Sequence, residues 1–330
     1  MTQPRIETTV FRKTFKGDEP LEIPVATIHG AKDGPTFTVM SGMHAGEYAG
    51  VLAAQRLITS IVPDELSGRL RVIPVISTRA FMARYMQLSP VDDREVHFYG
   101  PGNPDGSYTE FHVDALYSII KDSDYVIDMH SGEFAQSLMP WIPVPMIGDR
   151  DLRAASLSLA KGYPVTYVEP RTDRGLIPEL AWHLCDDGIA NLWAEIGKNG
   201  LAEDTAIDAH YGGVRAALQT TGMLEGPSPR PPQTAIVGRG YQINATQSGV
   251  WRPEVSEGDM VEEGQVLGRL TDYFGREIEV YRARERSLVL YYWSSPAIDH
   301  TRRPHGYDWH SGLVRLLAID SEQPVDQVMP

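Results

Sequence analysis

The chain has 330 residues, 42% hydrophobic and 22% charged, enough for a large domain with a real core plus a smaller one. A formal net charge of -14 makes nucleic acid an unfavourable partner, because such a surface repels phosphate. The single cysteine, Cys185, excludes an intrachain disulfide and a thiolate zinc site, so any metal must sit on histidines and carboxylates. Thirty Gly and 24 Pro suit a loop-rich α/β enzyme better than a helical bundle. The first twenty residues lack the apolar centre of a secretory signal, and there is no apolar run of the roughly eighteen residues that a spanning helix needs. A cytoplasmic protein without a membrane partner is expected.

Along the chain, strands and helices alternate. Residues 37–41 (FTVMS) read as a strand that stops at Gly42, and 48–61 as a helix ending before Pro63. Residues 70–76 (LRVIPVI) read as a strand interrupted by Pro74. A helix follows over 110–121, then a short buried strand over 125–129 (YVIDM). Further strands are expected at 166–168 and 189–194, and a helix over 205–224, interrupted at Gly212 and Gly213. This order predicts a mostly parallel sheet with helices on both faces. Residues 225–233 (EGPSPRPPQ) read as a Pro-rich linker. Beyond it, from Thr234 to the end, short β runs separated by turn signals predict an all-β domain. The catalytic domain would then span 1–224 and the β domain 234–330.

The sharpest chemical signal is Gly42-Met43-His44-Ala45-Gly46-Glu47. A His and a Glu three residues apart, on a Gly-containing turn after a strand, can face one cation. His130 arrives at the end of a second strand, in Asp128-Met129-His130. Two imidazoles and one carboxylate would leave a position open for water, as a catalytic zinc site requires. Both groups fall at C-terminal strand ends, where open α/β sheets bind ligands. Asp128 reads either as an orienting partner of a ligand or as an ordinary hydrogen-bonding residue at a strand end.

These motifs resemble the succinylglutamate desuccinylase and aspartoacylase family, within the zinc carboxypeptidase superfamily. The family pattern is G-x-H-x-x-E, an Arg, Asn-Arg, D-x-H and a late Glu. Here it reads Gly42 to Glu47, Arg84, Asp93-Arg94, Asp128 to His130, and Glu195 in Ala194-Glu195-Ile196-Gly197. The resemblance extends over the C-terminal β domain. It implies one zinc per chain on His44, Glu47 and His130, with Glu195 as general base and acid and Arg84 stabilising the oxyanion. Arg94 would bind a substrate carboxylate. The chain departs from the pattern in two places: Ser77-Thr78 stands for the family's Asn-Pro, and Asp93 for its Asn. Asp93 would pair with Arg94 or receive an amino group.

The implied reaction is hydrolysis of the amide of an N-acyl amino acid or a related small carboxylate-bearing amide. The alternative is a metallocarboxypeptidase acting on small peptides. The run SEGDMVEEGQVLGRL resembles a lipoyl-type hairpin, but the last lysine of the chain is Lys198, so the β domain cannot be a swinging-arm carrier. Tyr167 and Glu169 follow a strand and read more simply as packing than as pocket residues. His300, His305 and His310 read as a surface loop near the site rather than a second metal site. A homo-oligomer would be unsurprising.

Overall fold

The computed structural model describes residues 3–18, 20–172, 174, 179–301 and 311–329. The strands of the first region are β1 (Arg5–Thr14), β2 (Pro20–His29), β3 (Lys32–Ser41), β4 (Ser67–Ile73), β5 (Tyr125–His130), β6 (Gln136–Leu138), β7 (Trp141–Pro145), β8 (Tyr167–Arg171) and β9 (Ala190–Glu195). Its helices are α1 (Tyr48–Ser60), α2 (Thr78–Ala83), α3 (Tyr108–Ile120), α4 (Arg150–Ala160), α5 (Glu179–Asp186) and α6 (Asp204–Thr220). The second region adds β10 (Thr234–Asn244), β11 (Gly249–Pro253), β12 (Met260–Val261), β13 (Val266–Thr271), β14 (Glu277–Arg282), β15 (Ser287–Trp293), β16 (Ala297–Ile298) and β17 (Gly312–Pro324).

One long sheet runs β1-β2-β4-β3-β5-β9-β7-β8-β10-β17-β15-β12, with β6 on β15, and β14-β13-β11-β16 form a second, smaller sheet. The expectation of a mostly parallel sheet is corrected here: the sheet is mixed. Parallel pairing is confined to β4-β3-β5-β9 and to β7-β8-β10. Three things make it so. An antiparallel hairpin, β1-β2, is added at one edge, β7 runs antiparallel to β9 between the two parallel blocks, and the β region joins the other edge rather than standing apart. Strand β10 makes that join. Its first residues pair with Tyr167 and Val168 of β8, and the remainder pairs antiparallel with β17. The preceding stretch, 225–233, has no helix or strand, and its last residue, Gln233, is buried with its amide donating to the carbonyls of Ala160 and Tyr163.

The expected helices do lie on both faces. Side chains alternate across a strand, so odd and even residues divide between two cores. Phe37, Val39, Ile127, Met129, Leu192 and Ala194 join α1, α4 and α6 on one side. Met40, Ile73 and Val126 join α3 and α5 on the other. By the same alternation Asp128, His130 and Glu195 belong to the α3 and α5 face, at the C-terminal ends of their strands. Helix α3 starts at a capping box, in which Ser107 accepts from the Glu110 N–H and Glu110 accepts from the Ser107 N–H. Strand β4 ends at Ile73, immediately before Pro74, which has no N–H to extend the ladder.

Helix α6 is continuous where an interruption at Gly212 and Gly213 was expected. Gly213 is a close-approach residue: a Cβ there would lie 2.2 Å from the ring of Tyr163, which is fully buried. Gly212 faces open space. The two glycines should therefore respond oppositely to alanine. Gly212→Ala should raise stability by up to about 1 kcal/mol through helix propensity. Gly213→Ala should lower it, because overpacking of about 1–3 kcal/mol exceeds that gain. Thermal or denaturant unfolding of the two variants checks the contrast.

Candidate active site

Strand β3 ends at Ser41, and Gly42 turns the chain with φ +63°, a conformation that disfavours any side chain. A Cβ there would also lie 3.1 Å from the Cα of Val75. The turn is fastened from the β4 side: Ser77 donates its N–H to Gly42 and its hydroxyl to the carbonyl of Met43 at 2.7 Å. Ser77 thus supports the His44 loop directly. Glu47 stands at the N-cap of α1 yet makes no capping hydrogen bond. Its carboxylate instead meets two imidazoles, with Oε1 2.8 Å from His44 Nδ1 and Oε2 2.9 Å from His130 Nδ1. The Ser131 N–H donates to Oε2 at 3.1 Å.

The far nitrogen of each imidazole faces another buried carboxylate. His44 Nε2 is 2.8 Å from Glu95 Oε1, and His130 Nε2 is 2.9 Å from Asp128 Oδ2. A third ring, His97, lies 5.0 Å from His44 and 4.5 Å from His130, centroid to centroid, with Nε2 3.7 Å from Asp128 Oδ2. Glu195 pairs in register with His130 across β5 and β9. Behind them His210 of α6 shares its Nε2–H between the carbonyls of His130 and Ile196, at 3.0 Å each, and so ties the two strand ends together.

Electrostatics follow from this burial. Desolvation opposes charge on His44 and His130, but Glu95 and Glu47 beside the first, and Asp128 and Glu47 beside the second, outweigh it and hold both pKa values well above 6.5. Glu47 is pulled down to about 2: burial acts against this, but His44 and His130 prevail. Asp128 is likewise lowered, chiefly by His130 against burial. His97 is pushed down to about 4 by burial and by the neighbouring His130. Burial raises Glu195 to about 8, partly countered by His130. It also raises Glu133 to about 8; Glu133 Oε1 accepts the N–H groups of Gln87 and Gly46, tying the Gln87 segment to the His44 loop.

Three overlapping groups in this cluster could hold a metal: His44, Glu47 and His130; His44, Glu95 and His97; His97, Asp128 and His130. The first fits zinc best. Both Nδ1 atoms converge on one carboxylate, while the Nε2 atoms are backed by Glu95 and Asp128, as metal-bound imidazoles generally are. Neither ring nitrogen of buried His130 makes a well-formed hydrogen bond, as expected of a ligand whose partner is an ion.

The cluster opens onto a cavity of about 280 Å³ whose wall includes His44, Glu47, Gln87, His97, Arg171, Glu195 and Arg315. Of the residues singled out in the sequence, the structure brings His44, Glu47, His130 and Glu195 together. Arg84, Asp93 and Arg94 do not line the cavity. Arg84 is the C-cap of α2, with φ +53° and an exposed side chain. Asp93 is exposed and accepts from the Tyr85 hydroxyl, and Arg94 donates to the Tyr99 hydroxyl. Buried Glu169 accepts from Trp141 Nε1 and from Arg171, and Tyr167 packs in the core beneath the cavity. His300 meets Ser248, while His305 and His310 lie outside the described residues.

Sequence reasoning missed Glu95 and His97, which sit on a 3-10 turn at Val96–Phe98 without any periodic pattern. It also missed Gln87, buried and held at φ +41°. Arg315 was missed as well, though a lone charge inside the apolar run LVRLLA of β17 is a visible signal.

Fold and site together define a class, a mixed α/β framework with a buried His–carboxylate cluster that could hold a metal at the C-terminal ends of its strands. No family model matches the chain. It is 26% identical, over 76% of its length and 74% of the relative's, to an N-alpha-acetyl-L-2,4-diaminobutyric acid deacetylase of Halomonas elongata. A product-bound structure of the ectoine utilization protein EutE (DoeB) from Ruegeria pomeroyi superimposes with a TM-score of 0.84 at 21% identity, covering 97% of each chain. A succinylglutamate desuccinylase/aspartoacylase from Rhodobacter sphaeroides gives 0.81 at 20% identity, covering 97% of this chain and 96% of that one. The resemblance read from the motifs is thus matched by the fold of the succinylglutamate desuccinylase and aspartoacylase family over nearly the whole chain.

The raised pKa values of His44 and His130 mean that a cation at this site must displace protons that these rings otherwise retain. Zinc affinity should therefore weaken as pH falls, and zinc binding should release protons. Calorimetry in buffers of different ionisation enthalpy measures both. Asp128→Asn should weaken zinc binding about 10- to 100-fold by unseating His130.

Proposed function

We propose that the chain is a zinc-dependent deacylase that hydrolyses the amide bond of an N-acyl amino acid. The observation that carries this is the meeting of His44 Nδ1 and His130 Nδ1 on Glu47, with Glu195 one strand away on the wall of the same cavity. The sequence relative, named as a deacetylase of an acylated amino acid, supports the reaction class. One zinc, held by His44, Glu47 and His130, would acidify water and polarise the scissile carbonyl.

The rest is done by side chains. Glu195 takes the proton of the attacking water and delivers it to the leaving amine. A base raised towards neutrality suits both steps, since it must accept a proton and then give it up. Glu95 accepts from the Nε2–H of His44, and the Asp128 carboxylate stands 2.9 Å from His130 Nε2, so that each imidazole is held against a buried carboxylate. The amide of Gln87 has no hydrogen-bond partner among the described residues and donates to the carbonyl oxygen as charge builds there. The resemblance assigns that role to Arg84, so the two residues are rivals for it.

Metal content and turnover test the reading together. Wild-type protein should bind one zinc per chain and release free amine from N-acyl amino acids but not from dipeptides. A His44→Ala/His130→Ala double variant should do neither, and a zinc-free wild type would overturn the proposal. Glu195→Gln should keep its zinc and lose at least about a hundredfold in kcat. The acid limb of the rate should fall between 4.5, the ordinary carboxyl value, and the buried value of about 8, with activity rising as pH rises through it. Gln87→Ala should lower kcat about a hundredfold with little change in KM. If Arg84→Ala does that instead, the oxyanion is held by Arg84.

A further inference from the structure

Beyond the metal cluster, the cavity carries a signature of what it accepts. Its wall mixes apolar side chains, Phe98, Leu138, Trp141, Pro143, Trp193 and Leu290, with polar ones. Two guanidiniums interrupt it. Arg171 is already matched, with Nη1 3.0 Å from Glu169 Oε1 and both side chains nearly buried. Arg315, half-buried on β17, has no ion pair or hydrogen bond to any described residue. A half-buried cation on a cavity wall, without a partner among the described residues, is a place for an anion to bind.

The strands around Arg315 are arranged for such an anion. In register, Arg315 stands between Gln242 of β10 and Tyr291 of β15, and all three line the cavity. The guanidinium offers a carboxylate a fork of N–H groups, beside a Gln242 amide that also donates to Asn244 and a Tyr291 phenol that is hydrogen-bonded with Gln136. Two carboxylates, Glu47 and Glu195, share the cavity wall with it. Glu47 is engaged by two imidazoles, and Glu195 stands beside the cluster. Glu169, behind the wall, is taken by Arg171 and Trp141.

The geometry points to Arg315 as the receptor for the substrate carboxylate. This rests on the deacylase reading and deepens it, moving the anion anchor from Arg94 on the first region to β17 on the second.

The test uses zinc-loaded protein and two measurements. In kinetics, wild type should turn over N-acetyl-L-phenylalanine with kcat/KM at least about tenfold above N-acetyl-L-phenylalaninamide. Arg315→Met should lower kcat/KM for N-acetyl-L-phenylalanine tenfold or more, mainly through KM, and leave N-acetyl-L-phenylalaninamide within about threefold. Arg315→Lys should fall between, because it keeps the charge and loses the fork. In calorimetry, N-acetyl-L-phenylalanine should bind the Glu195→Gln protein more tightly than its amide does, and Arg315→Met in that background should abolish the difference. Equal losses on acid and amide, or an unchanged kcat/KM for N-acetyl-L-phenylalanine in Arg315→Met, would overturn the assignment. Arg315-dependent binding with no turnover of any N-acyl amino acid would instead overturn the deacylase reading and leave the carboxylate receptor standing.

Discussion

The carboxylate of Glu47 is the point on which the site is built. It is buried, ionised and shared between two imidazoles. A buried charge is tolerable only when fully matched, so each neighbour is constrained in turn. Glu47 gives up its natural task of capping α1 to face the rings. The rings are aimed by Glu95 and Asp128, the loop before them is turned at Gly42 and fastened by Ser77, and the strand ends are tied by His210. A network with so many mutually dependent partners has essentially one arrangement, and that rigidity is what a catalytic metal requires.

The two regions divide the work. The first supplies the buried His–carboxylate cluster and Glu195 from the C-terminal ends of parallel strands, where open α/β sheets generally bind ligands. The second supplies Gln242, Leu290, Tyr291 and Arg315 to the opposite wall. Because β10 belongs to the same hydrogen-bonded sheet as β8, this wall is held by backbone pairing rather than by a flexible tether. The β region is therefore a wall of the cavity, and not merely an appendage that narrows its mouth.

How much of this could be read from the chain depends on how local each feature is. His44 with Glu47, and His130 with Asp128, are short motifs at the ends of recognisable strands, so spacing alone brought them forward. The alternation of strands and helices up to Gly222 and the change to β structure at Thr234 were also legible, because periodicity carries them. The mixed character of the sheet was not: β7 runs antiparallel to β9, and β10 pairs antiparallel with β17 far later in the chain, and no local pattern records those partners. Glu95 and His97 sit on a single non-repeating turn. Arg84 and Arg94 were placed by matching a family pattern across a segment where Ser77, Thr78 and Asp93 already departed from it. In that segment Gln87, rather than either arginine, reaches the cavity.

Strand β10 has a consequence for how the molecule is made. Until β10 is in place, β8 presents an unpaired edge, the kind of surface on which chains aggregate. His44, Glu47, His130 and Glu195 all precede it in the chain, so the buried cluster is synthesised before the wall that faces it. That wall, with Leu290, Tyr291 and Arg315, comes only with β15 and β17 near the end of the chain.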